Sequence, residues 1–124
     1  MAIYNSLDEL DTKARQQIES LLLPEESFVL AARSAGFFAR FFPYFIVTNE
    51  RLIRYRKLWF SEYLSDIDLA RVSQVDYRTQ AMGKASEIEL EGPGVDEEFQ
   101  FAGGDGRELA TAIRAQLTQG NNVA

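Results

Sequence analysis

The spacing of apolar residues changes twice along this chain, and one kind of secondary structure cannot serve both spacings. Before Pro24, Leu7, Leu10, Ala14, Ile18, Leu21 and Leu22 recur every three or four residues, the repeat of one helical face. From Glu26 onward the apolar residues fall in short runs and alternations. Ile88 and Leu90 alternate with Glu87, Glu89 and Glu91, and Phe99 and Phe101 alternate with Glu98 and Gln100, which is the period of half-buried strands. After Gly106 the helical repeat returns in Leu109, Ile113 and Leu117. The expected order is therefore helix, strands, helix, in a chain of 124 residues that is one domain by size.

Local signals set the expected boundaries. Ser6-Leu7-Asp8-Glu9 is a capping box, in which the Ser side chain and Glu9 satisfy amides at the start of a helix. Pro24 ends that helix near Leu23. Strands are expected at Phe28–Ala32, along a bent aromatic run from Phe37 to Val47 broken at Pro43, at Leu52–Arg56, at Trp59–Leu64, around Val72–Tyr77, at Glu87–Glu91 and at Glu98–Phe101. Proline lacks a donor and belongs at an edge or bulge. Turns are expected at Ser34–Gly36, Asn49–Glu50 and Gly92–Gly94, and Asp105 is a good cap for the last helix, which Gly120-Asn121-Asn122 ends. The expectation is a mainly β, α+β domain of about seven short strands. Residues 1–24 form a helix packed on the domain, 25–118 the barrel or sandwich with its capping helix, and 119–124 a flexible tail.

One hairpin carries a family likeness. Thr48 and Asn49 favour a turn by bonding side chain to backbone, and Arg51 opens the next strand, where its guanidinium can tie down turn carbonyls or a carboxylate. Phe45-Ile46-Val47-Thr48-Asn49-Glu50-Arg51-Leu52-Ile53 resembles the hairpin of bacterial pleckstrin-homology-like domains, the YokE-like group. Leu64 to Val75 resembles that group's stretch after the hairpin, and Glu108 to Arg114 is similar to its capping helix. The resemblance spans roughly residues 17 to 117. It implies a seven-stranded antiparallel barrel capped by a C-terminal helix, and a scaffold that binds lipid headgroups, peptides or proteins.

The chemistry the chain lacks narrows its function. It contains no histidine and no cysteine, which excludes Ser-His and Cys-His nucleophile arrangements, the usual zinc sites and disulfides. Asp66 and Asp68, or Glu87, Glu89 and Glu91, could hold a hard cation, but a solvated face is the favoured reading of them; no EF-hand spacing is present. Gly103-Gly104-Asp105-Gly106 lacks the Lys-Ser/Thr pair of a phosphate loop. No cofactor is expected, and the chain reads as a non-enzyme. A net charge of −6 argues against nucleic acid, which needs a positive field. The opening residues carry no secretory signal and no apolar run reaches the ~20 residues of a membrane span, so a cytoplasmic protein is expected.

Positive charge and aromatic rings nevertheless concentrate in one stretch. Arg33, Arg40, Arg51, Arg54, Arg56 and Lys57 are opposed there only by Glu50. Phe37, Phe38, Phe41 and Phe42 cannot all face one core, because neighbours on a strand point to opposite sides. The candidate interaction surface is Phe37, Phe38, Arg40, Phe41, Phe42, Arg54, Arg56, Lys57 and Trp59, with Phe60 extending it. The expected partner is a protein or a second copy of the chain; an anionic membrane surface is the alternative. Two plainer readings stand beside these: the arginines pair with carboxylates on neighbouring strands, and the first helix covers the aromatics.

Overall fold

Residues 2–33, 41–80, 82, 85–102 and 106–122 are described in a computed structural model of the chain. The capping box forms, with the Glu9 carboxylate accepting from the amides of Asn5 and Ser6, but it opens only a single 3-10 turn, Leu7–Glu9. Leu10 is extended, and helix α1, Thr12–Leu21, starts afresh from Asp11, whose carboxylate accepts from the Ala14 amide at 2.8 Å. The expected single helix from Ser6 is thus two pieces, because Asp11 offers a second cap.

Eight strands follow two sheets among the described residues. The first holds β1 (Ala2–Tyr4), β2 (Phe28–Arg33), β3 (Tyr44–Thr48), β4 (Arg51–Leu58) and β5 (Ser61–Asp68), in that order and antiparallel throughout. The second holds β6 (Gln74–Gln80), β7 (Ala85–Gly92) and β8 (Val95–Ala102). Helix α2 runs Gly106–Asn122, past the Gly120 where the sequence placed its end. The strand added to the expected seven is β1. In the described part of the aromatic run, 41–47, the strand begins at Tyr44, and Pro43 stands just outside it, where its missing N–H costs no ladder bond. The turn at Ser34–Gly36, the cap at Asp105, and Phe37, Phe38 and Arg40 lie outside the described residues.

Strands β2, β3 and β4 of the five-stranded sheet are buried on both faces. The inner face, with Leu30, Ala32, Phe45, Val47 and Leu52, packs against Ile88, Leu90, Phe99 and Phe101 of the second sheet and Leu109 and Ile113 of α2. The Phe45 ring meets the edges of Phe99 and Phe101 at centroid distances of 5.4 and 4.9 Å. The outer face, with Ala31, Ile46, Ile53 and Tyr55, packs under Leu10, Ala14 and Ile18. The N-terminal helix therefore covers the outer face over Tyr55, but it does not cover the described aromatics of the candidate surface: Phe41 and Phe42 stay 42% and 47% exposed. Gly92 closes the second sheet against the 3-10 turn Leu69–Arg71, since a Cβ there would stand 1.8 Å from the Arg71 carbonyl oxygen. Gly92→Ala is expected to cost about 1–3 kcal/mol through forced backbone movement, measured by chemical denaturation.

A buried ion pair ties these parts together. The Glu26 side chain is 0% exposed. Arg51 grips it with two hydrogen bonds, Nε to Oε2 at 2.8 Å and Nη2 to Oε1 at 2.6 Å, and the Thr48 hydroxyl donates to Oε2 at 2.7 Å. Thr48 Oγ1 in turn accepts from the amides of Glu50 and Arg51, closing the turn. The same guanidinium reaches the Leu21 carbonyl at the end of α1 and Asp66 of β5, both at 3.0 Å. The Arg51 guanidinium holds the Glu26 carboxyl at a pKa of about 2, below its ordinary 4.5, against the opposing effect of burial. Its stabilising contribution is therefore complete above about pH 4.5 and is lost as the pH falls toward 2. Arg51→Ala, which strands a buried carboxylate, is expected to cost about 3–5 kcal/mol. Glu26→Gln should flatten the fall in stability between those pH values, read from urea melts across the acid range.

Candidate functional site

Strands β4 and β5 pair over eight residues without a bulge, from Arg51↔Asp68 to Leu58↔Ser61. That register places Trp59 and Phe60 in a two-residue turn at the tip of the hairpin, not at the start of a strand as their β-preference suggested. They are 88% and 99% exposed. Neither is a turn residue by chemistry; such turns favour Asn and Gly.

Beside the tip lies a cavity of about 660 Å³. Its described walls come from Asp11, the cap of α1, from Lys13, Ala14 and Gln17 of that helix, from Phe41 and Phe42, from Arg33, Tyr44, Tyr55 and Arg56 of the sheet, and from Lys57 to Ser61. The Arg33 guanidinium lies 4.5 Å over the Tyr44 ring and donates to its hydroxyl at 3.1 Å. Burial pushes the Tyr44 phenol above its ordinary value. Arg56 donates to the Phe41 carbonyl at 3.2 Å, fixing the segment before β3 against β4. Four cations, Lys13, Arg33, Arg56 and Lys57, share the wall with the one carboxylate of Asp11. The described walls offer apolar surface rimmed by positive charge.

The structure brings together five of the expected residues, Phe41, Phe42, Arg56, Lys57 and Trp59, on this cavity. Arg54 stands apart. It shares the inward row of β4 with Leu52, stacks 4.9 Å from the Phe99 ring, bonds Ser65 Oγ at 3.2 Å and faces Glu97 at 3.7 Å. For Arg51 and Arg54 the plainer reading, pairing with carboxylates of neighbouring segments, is therefore the observed one. Sequence reasoning missed Lys13 and Gln17. Their signal was their place beside Ala14 on the flank of the α1 apolar stripe.

The carboxylates divide among several roles. Asp66 serves Arg51, and Asp68 caps the 3-10 turn through the Ala70 amide. Glu87 is buried, against the expectation of a solvated face, and Arg78 stands 3.8 Å from it. Carboxylate oxygens of Glu89, Glu91 and Asp96 lie within 4.8 Å of one another, with Glu91 held above its ordinary pKa by Glu89. Among the described residues no helix is long and apolar enough to cross a membrane.

No family model matches the chain, and no curated protein sequence is similar to it. Its shape is similar to two solved bacterial structures. One is a DUF1696 family protein with a pleckstrin-homology domain from Shewanella loihica, at 20% identity over 90% of this chain and 97% of that one, with a TM-score of 0.66. The other is a pleckstrin homology domain from Shewanella amazonensis, at 18% identity over 88% and 90%, with a TM-score of 0.67. The fold is thus pleckstrin-homology-like, as the hairpin motif implied. Phe60→Ser is expected to change the unfolding free energy by less than about 0.5 kcal/mol, as for a surface site without packing; a loss well above that in a denaturant melt would mean the ring serves the fold.

Proposed function

We propose that this pleckstrin-homology-like domain is a non-catalytic binding module that takes a protein partner, or a second copy of itself, on the surface formed by the Trp59–Phe60 tip and the adjoining cavity. The observation that carries the reading is the exposure of that aromatic pair, 88% and 99%, at the end of a rigidly paired hairpin. Buried aromatic anchors dominate binding energy at protein interfaces, and large apolar side chains held out in water mark interaction surfaces. The absence of histidine and cysteine supports a binding role over a catalytic one.

The four cations around the cavity favour one second reading, contact with an anionic membrane surface. Lys57 sits next to the tip, where aromatic rings would enter the headgroup region while the cations meet lipid charge.

The double substitution Trp59→Ser with Phe60→Ser separates the readings. Sedimentation velocity over a wide concentration range should show association of the wild type that the double variant loses, or cross-linking in the native host should recover a partner that the variant does not. A strictly monomeric protein with no tip-dependent partner defeats the protein reading. Flotation with phosphatidylserine vesicles, weakened by salt and abolished in the variant, would establish the membrane reading in its place.

A further inference from the structure

We propose that the free edge of β5 is a docking strand for an extended segment of a protein partner carrying lysine or arginine, which adds to the five-stranded sheet as a sixth strand. Among the described residues β5 is the last strand of its sheet, with β4 on one side only. The register shows which backbone groups are free. A two-residue turn makes Leu58–Ser61 a hydrogen-bonded pair, and such pairs then alternate along an antiparallel ladder. The Leu69 amide donates to the Glu50 carbonyl at 2.9 Å, in the same phase at the far end. The amides and carbonyls of Glu62, Leu64, Asp66 and Asp68 therefore point away from β4, in a row with no bulge.

Proteins usually blunt such an edge with a bulge, a proline, a lysine or a short length. β5 has eight residues and none of the first three. It also exposes Tyr63 and Leu64, at 42% and 51%, on its two faces. The other edges differ: β1 has three residues, β6 is packed by α2 with Arg114 bonded to the Val75 carbonyl at 2.9 Å, and the exposed side chains of β8 are Asp96, Glu98 and Gln100. The occupant follows from charge. A groove of about 370 Å³ beside the end of β5 is lined by Asp66, Asp68 and Glu97 and by Arg71, with Arg51 and Arg54 engaging Asp66 and Glu97 from the sheet. Glu62 adds a further exposed carboxylate on the strand. Main-chain pairing supplies affinity in strand addition and side chains at alternate positions supply selectivity, so a basic extended segment fits this edge.

The test uses the whole protein and a labelled peptide of alternating lysine and valine, with an alternating glutamate–valine peptide as control. Fluorescence anisotropy should show saturable binding of the lysine peptide that falls with salt, and little binding of the glutamate peptide. Amide hydrogen exchange by NMR should slow at Glu62, Leu64 and Asp66 on binding. Leu64→Pro removes one outward donor and spares the ladder to β4, so it should keep the wild-type circular dichroism and bind at least about tenfold more weakly. Glu62→Lys, an exposed change that does not touch the backbone, should weaken the lysine peptide several-fold and keeps the test decisive if the proline variant does not fold. The tip double variant should bind the peptide normally, so this proposal and the tip surface stand or fall separately. Absence of saturable binding, equal binding of the two peptides, or protection elsewhere in the chain overturns the proposal. Protection of the same amides by raising protein concentration alone would make the occupant a second copy and overturn the partner named.

Discussion

The Arg51 guanidinium does more positioning than any other side chain described. It holds a fully buried carboxylate, the end of α1 and the outer end of β5 at once. A planar fork with five donors suits this role, where a lysine would satisfy one or two partners and leave the others exposed to desolvation. Such pairs are seldom strong net contributors, because two charges must leave water. Their value is in excluding alternatives. Only one arrangement of helix, turn and strand satisfies Glu26, and it fixes the end of the β4–β5 ladder from which the register is counted.

That dependence explains what was legible in the sequence. The two apolar spacings reported the helix–strands–helix order directly, because each reflects which atoms leave water. The Thr48–Arg51 turn was legible for a similar reason: its chemistry is contained within four neighbouring residues. Trp59 and Phe60 were misread as strand, since their intrinsic preference is for strands and nothing adjacent to them signals a turn. Their position is set by pairing that starts at Arg51↔Asp68. In the same way the capping box at Ser6 was real but short, because Asp11 competes with it from within the expected helix.

The candidate surface was legible only in outline. Arg54 and Arg56 look equivalent on a strand, yet one is occupied by Phe99 and Glu97 of a strand more than forty positions away and the other meets the cavity. Lys13 and Gln17 join that cavity only because α1 lies across the sheet. The result is a hairpin with contrasting ends: aromatic and basic at the tip, carboxylate-rich at the base beside Glu97. On a chain of net charge −6 the cations at the tip form a local exception to the overall field.

The two-sided burial of the first sheet also sets an order of events. Leu10, with Ala14 and Ile18 of α1, packs on Ala31, Ile46, Ile53 and Tyr55, all of which follow it in the chain. A ten-residue helix is marginal by itself in water. The meander of β2, β3 and β4 joins neighbours in sequence and closes shorter loops than the helix must. Assembly should thus run against chain direction here: the helix that precedes the sheet waits for a surface made after it, and a chain caught before that docking would show the outer face of its sheet to anything nearby.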